Sequence, residues 1–150
     1  MSISQRLTEL GITLPAAPAP VANYIGCVVA GELVVVSGQL PIRDGALLAS
    51  GKLGATVTLE DGKAAARQCF INILAQLNAA CDLDRIVVVR LGGFIACTPD
   101  FTQHAGVMNG ASDLAVEVFG PAGKHARTTI GVPSLPLDAA VEVEGLFRIV

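Results

Sequence analysis

Residues 125–150 read HARTTIGVPSLPLDAAVEVEGLFRIV, an arginine set among small and β-branched residues, a break through Pro133 and Pro136, and a closing run whose positions Val141, Val143, Phe147 and Ile149 are apolar. β-Branched and aromatic residues favour strands, and proline and serine interrupt them, so the pattern predicts two strands joined by a turn, paired as a final hairpin. Strand side chains alternate with a period of two. Arg127 and Thr129 therefore share one face of the first strand, and Thr128, Ile130 and Val132 the other. In the second strand the odd positions suit a core, leaving Glu142, Glu144 and Arg148 opposite. Together the arginine, the threonine and the carboxylates are expected to form one polar sheet face, which meets water or lines a site.

Working outward, the chain has 150 residues, 52% of them hydrophobic and 15% charged, with a net charge of −3. That length fits a single domain spanning 1–150, and the charged fraction is well under the roughly 25% of ordinary soluble domains. The excess apolar surface predicts self-association rather than a membrane, because no apolar run nears the roughly 18 residues a spanning helix needs. The first residues, Met1 to Arg6, carry neither the basic stretch nor the apolar block of a secretory signal, so cytoplasmic residence is expected. Cys27, Cys69, Cys81 and Cys97 show no C-x-x-C spacing, and His104 and His125 lie far apart. These cysteines read as reduced buried thiols rather than disulfide or zinc ligands. An acidic chain without a Lys/Arg cluster has little electrostatic footprint for nucleic acid.

A short N-terminal helix is predicted from Ser2 or Ser4 as cap, Ile3, Leu7 and Leu10 at helical spacing, and Gly11 as stop. The Ala/Pro-rich stretch from Pro15 to Pro20 follows as an extended connector. Tyr24 to Ala30 and Leu33 to Ser37 flank Gly31-Glu32 as a hairpin, and a loop runs from Asp44 to Thr58. Thr58 begins a long helix with Glu60 and Asp61 in its first turn and Ala66, Phe70, Ile73 and Leu77 as its apolar stripe. Ile86 to Cys97 is strand-forming, and Gly92-Gly93 marks a bulge or a close backbone approach. Asp100 is expected to cap a second helix carrying Phe101, Ala105, Met108 and Phe119, ended by Gly120-Pro121. The order β, β, helix, β, helix, β, β predicts an α+β fold with helices layered on one face of a sheet.

The arrangement A-R-T-T-I-G-V-x-x-L-P followed by D-x-x-V-E-V-E is similar to the closing signature of the RidA (YjgF/YER057c/UK114) family of small trimeric imine deaminases. Tyr24, the run Ser37-Gly38-Gln39-Leu40-Pro41, and Asn109 fall in that family's order at about its spacing. The resemblance implies a chorismate mutase-like fold, a mixed sheet packed as a homotrimer with intersubunit sites, and no metal or organic cofactor. It implies hydrolysis of reactive enamines or imines of small 2-keto acids, such as 2-aminoacrylate, to keto acid and ammonia.

Carried onto this chain, Arg127 takes the place of the arginine that holds the substrate carboxylate, through a planar fork that lysine cannot reproduce. Glu142 takes the place of the glutamate that positions the attacking water. Tyr24 matches a pocket tyrosine from a neighbouring subunit, Gly38 the glycine whose backbone N–H meets the ligand with Ser37 beside it, and Asn109 a residue able to hydrogen-bond across the cleft. The bland alternative for Arg127 is an ion pair with Glu142 or Glu144 across the sheet, and for Asn109 a solvent-facing position. Two features depart from the family: Thr129 stands where many members carry a cysteine, and the N-terminal helix and the Asp44 to Thr58 loop extend the compact pattern. They motivate the alternative of a non-catalytic trimeric binder of small carboxylate metabolites.

Overall fold

A computed structural model describes residues 1–17 and 23–150; the last part of the predicted connector, 18–20, lies outside the described residues. Its elements are α1 (Ile3–Glu9), β1 (Cys27–Ala30), β2 (Leu33–Gln39), the short pair β3 (Ile42–Arg43) and β4 (Ala46–Leu47), α2 (Leu59–Ala80), β5 (Ile86–Ala96), α3 (His104–Phe119), β6 (Ala126–Val132) and β7 (Val141–Ile149).

Local chemistry explains most boundaries. Ser2, not Ser4, caps α1, its Oγ accepting from the Gln5 N–H while the Gln5 side chain accepts from the Ser2 N–H. Such reciprocal caps satisfy two of the donors a helix start leaves free. Thr58 caps α2 by accepting from the Asp61 N–H, with Glu60 and Asp61 in the first turn. Gly31 turns β1 into β2 at φ +62°, a conformation that costs glycine little. The predicted Asp100 cap is not made. Its carboxylate instead accepts from the Thr98 hydroxyl at 2.6 Å, a bond that also holds its pKa below the usual carboxylate value. α3 starts at His104 behind Gln103 with no side-chain cap, so Phe101 precedes it.

The main sheet has the order β1-β2-β7-β5-β6. β1–β2, β2–β7 and β7–β5 are antiparallel, and β5–β6 is parallel, giving the mixed sheet expected. The final hairpin is not formed. β6 reaches its neighbour β5 through the α3 crossover, as parallel pairing requires. β7 then passes to the other side of β5 and fills the gap beside β2. The anticipated irregularity in β5 falls at Val89, between the Val88 and Arg90 pairings, rather than at Gly92-Gly93. Those two glycines instead permit close approach: a Cβ at Gly93 would lie 2.6 Å from Met108 Sδ, and one at Gly92 would lie 2.8 Å from Glu144 Oε1.

α2 and α3 cover one sheet face. Phe70, Ile73, Leu74 and Leu77 from α2 and Met108, Ala111 and Leu114 from α3 pack onto Val34, Val36, Leu91, Ile95, Val141, Val143 and Phe147, all essentially inaccessible. Each large side chain so buried contributes about 1.5–3 kcal/mol against exposure. Among the described residues no helix lies over the other face. Val28, Leu33, Val35 and Ile130 stand there 45–48% exposed, beside Phe94, Leu146 and the Arg90–Glu144 ion pair at 3.5 Å. A sheet face this apolar is unusual for water. Among the described residues no helix is long and apolar enough to cross a membrane. All four cysteines are free, and burial pushes the Cys69 thiol well above its ordinary pKa.

Candidate functional site

Arg127 projects from β6 toward α3 rather than across the sheet. Its register partner is Leu91, fully buried beneath the helices, which puts the guanidinium on the helix-covered side. There Nη1 donates to Asn109 Oδ1 at 2.8 Å and to Ser112 Oγ at 3.1 Å, two acceptors one turn apart on α3. Ser112 Oγ lies 2.9 Å from His125 Nε2, and His125 Nδ1 lies 2.6 Å from the Gly123 carbonyl oxygen. Arg127 makes no ion pair among the described residues: Glu144 pairs with Arg90 instead. Its charge is held by neutral groups and stays available to an anion. Thr129, two residues along the same face, has a buried Oγ1 with no hydrogen-bond partner among the described residues. Such a group costs about 1–3 kcal/mol unless something else satisfies it.

Glu142 lies on the opposite side. It pairs with Phe94, which in turn pairs with the exposed Ile130, so its carboxylate stands on the uncovered sheet face. The single polar face expected from the alternation is therefore two faces. Two strands next to a common neighbour share faces through that neighbour's register, and the register around β5 puts Arg127 with the core positions of β7. Burial raises the Glu142 pKa first, and the nearby Glu144 charge raises it further. Gly38 sits where the β2–β7 register slips between Val36 and Gln39, and a Cβ there would collide with the Glu142 carboxylate oxygen. The missing side chain lets the two strands and the carboxylate close together.

Ser37 adjoins Gly38, and Tyr24 shares a cavity with Gly38. The Ser37 hydroxyl donates to the Ile25 carbonyl at 2.8 Å and ties the approach of Tyr24 to β2. Tyr24 is 64% exposed, and with Gly26, Gly38 and Gln39 it borders a cavity of about 900 Å³ whose floor carries Gln68, Asn72 and Gln76 of α2. Asn72 Nδ2 donates to the Leu40 and Ile42 carbonyls at 2.8 and 3.0 Å, pinning the Ser37 to Pro41 run to the helix.

One chain thus presents Arg127, Asn109 and Thr129 on the α3 side of β6, and Glu142 beside Gly38 on the other face, with Tyr24 at the α2 cavity that Gly38 also borders, but not the two groups on one surface. Ser112, His125 and the α2 amides escaped sequence reasoning. The available signal was spacing: Asn109 and Ser112 are i, i+3 on a helix, and His125 and Arg127 are i, i+2 in an extended run.

Comparison with known proteins is consistent with this picture. Residues 4–148 match the family described as "YjgF/chorismate mutase-like, putative endoribonuclease". The chain is 47% identical over 150 residues to Protein TCP17 of Trypanosoma cruzi, covering 98% of this chain and 94% of that one. It is 30% identical over 137 residues to a protein of Dermatophagoides farinae named 2-iminobutanoate/2-iminopropanoate deaminase, covering 90% and 92% of the two. Among solved structures, Atu1372 of Agrobacterium tumefaciens, a protein of unknown function, superposes with a TM-score of 0.90 at 42% identity over 99% of this chain and 92% of that one. A family match that runs almost end to end, on the expected mixed sheet, establishes that the chain belongs to the YjgF/RidA family.

Proposed function

We propose that this chain hydrolyses small 2-imino acids, and the enamines that tautomerise to them, in sites built between the copies of a homotrimer. The observation that carries the reading is Arg127: a half-buried guanidinium held by two neutral acceptors and answered by no carboxylate among the described residues. The deaminase name of the Dermatophagoides relative supports the chemistry. The apolar uncovered sheet face supports the assembly, since a second copy would take Val28, Leu33, Val35 and Ile130 out of water. Assembly also answers the separation of the two residue groups, because a neighbour can bring its Glu142, Gly38 and Tyr24 to a face that one chain cannot reach by itself.

In this site Arg127 grips the substrate carboxylate and Asn109 holds the guanidinium. The Gly38 N–H and Thr129 supply polar contacts, Ser37 keeps the Gly38 corner in place, and Tyr24 closes the mouth. Glu142, ionised, takes a proton from water as the oxygen attacks the imine carbon, and the nitrogen gains the protons that let it leave. Water and imino acid give keto acid and ammonia, with no covalent enzyme intermediate, so Thr129 in place of a cysteine removes nothing the step requires.

Two measurements test the reading. Arg127→Lys keeps the charge but loses the fork, and is expected to weaken 2-keto acid binding by roughly 1.5–3 kcal/mol with the trimer intact. Unchanged affinity in calorimetry would return Arg127 to a packing role. For the assembly, sedimentation is expected to give a trimer at micromolar concentration. Arg127→Lys and Glu142→Gln chains, each impaired alone, should recover activity when coexpressed, toward about one quarter of wild type if each site draws one residue group from each of two copies. A monomer, or no recovery in mixed trimers, would remove the intersubunit site. Carboxylate binding without turnover of 2-aminoacrylate above its spontaneous loss would favour a non-catalytic binder, the reading that Thr129 motivates.

A further inference from the structure

The geometry points to Ser112 and His125 as positioning residues that lock Arg127 with one edge of its guanidinium free for a carboxylate. This rests on the reading of Arg127 as the carboxylate anchor, and names residues that act through it.

The hydrogen-bond chain has only one consistent direction with a neutral imidazole. The Gly123 carbonyl oxygen can only accept, so His125 Nδ1, 2.6 Å away, carries the ring proton and donates. Nε2 of that tautomer is a lone pair, and the Ser112 hydroxyl at 2.9 Å must donate to it. With its one proton so used, Ser112 Oγ meets Arg127 as an acceptor, at 3.1 Å from Nη1. Asn109 Oδ1 takes a bond from the same nitrogen at 2.8 Å. Nη1 has two protons and both are committed. The Nε–H and Nη2–H groups, whose vectors run parallel, are the edge that grips a carboxylate side-on.

The choice of partners matters as much as the count. A half-buried arginine is most simply satisfied by a carboxylate, which would also cancel the charge a ligand needs. Here the fixing is done by a hydroxyl, an amide and an imidazole, and the chain ends on a backbone carbonyl just before β6. Arginine has many rotamers to lose when it binds, and holding it beforehand moves that cost from binding into folding. Ser112 is not a candidate nucleophile in this arrangement: its proton goes to His125, but its oxygen is occupied by Arg127.

The test compares a charged with an uncharged ligand, 2-oxobutanoate against 2-oxobutanamide, by calorimetry on intact trimers. Ser112→Ala and His125→Ala are each expected to raise the Kd for 2-oxobutanoate about tenfold, the size of one hydrogen bond, and to leave the amide unchanged. His125→Gln, whose amide oxygen can accept where Nε2 does, should restore most of the loss. The double variant Ser112→Ala/His125→Ala should lose no more than either single one, because both lie on one chain. Equal losses for both ligands, additive losses in the double variant, or no loss for 2-oxobutanoate while Arg127→Lys does lose it, would overturn the positioning role. If Arg127→Lys itself binds 2-oxobutanoate normally, it is the anchor reading that fails.

Discussion

Turnover of 2-aminoacrylate is expected to fall by about 100-fold or more in Glu142→Gln, with keto-acid binding largely kept, because general acid–base help is worth about that much. Glutamine preserves the shape beside Gly38 but cannot take a proton from water. The assay generates the enamine with a PLP-dependent dehydratase and follows its loss against the spontaneous rate. An active variant would end the role given to Glu142 and leave the rest of the site standing. Two pH effects accompany the change. Because burial and Glu144 raise the Glu142 pKa, the base is lost as pH falls through that raised pKa, and Glu144→Gln should move the acid limb down. For stability the sign is the reverse of the usual carboxylate. The fold favours neutral Glu142, so its contribution is present below the unfolded pKa and is lost as pH rises through the folded one. The permanently neutral Glu142→Gln should accordingly melt higher than wild type at neutral pH.

Gly110→Ala is expected to destabilise the fold by about 3 kcal/mol and lower Tm by about 8 °C. A Cβ at Gly110 would fall against the Lys63 carbonyl and 3.2 Å from the Arg67 nitrogen, both backbone atoms of α2. Backbone cannot rotate aside, so the helices must separate and every contact between them loosens. The roughly 1 kcal/mol that alanine gains over glycine in a helix offsets only part of this. Gly106, one turn earlier, makes a matched control. Its Cβ would meet only the Leu59 side chain, at 3.3 Å, which can shift. Gly106→Ala should be neutral or slightly stabilising, and equal melting of the two variants would show that the α2–α3 crossing is looser than described.

Periodicity was a good guide to local structure. The stripe Ala66, Phe70, Ile73 and Leu77 is buried as expected, and the odd positions of β7 face the core. Partner choice is where the reading stopped, because alternation sorts faces within a strand and says nothing about which strand lies beside it. The proline-broken segment between β6 and β7 resembles a hairpin turn locally, yet β5 lies between the two strands. With β6 and β7 side by side Arg127 and Glu142 would share a face; with β5 between them they do not. The Asp100 cap failed for a local reason, a hydroxyl two residues upstream competing for the carboxylate. Within the candidate site, Arg127 and Asn109 came from the family motif and are hydrogen-bonded to each other. Ser112 and His125 belong to no quoted motif, and only the packing of α3 on β6 brings them into one chain.

The last strand of the chain is also the middle strand of its sheet. A ribosome releases this protein from the N-terminus, so β1, β2, both long helices, β5 and β6 emerge before the piece that joins them. Until residues 141–149 follow, the nascent chain displays the unpaired edges of β2 and β5, each ready to accept a strand from another molecule. Termination of translation within residues 141–149 would therefore not trim a margin. It would leave two sheet fragments without their shared centre, the form most prone to aggregate and to engage chaperones and proteases.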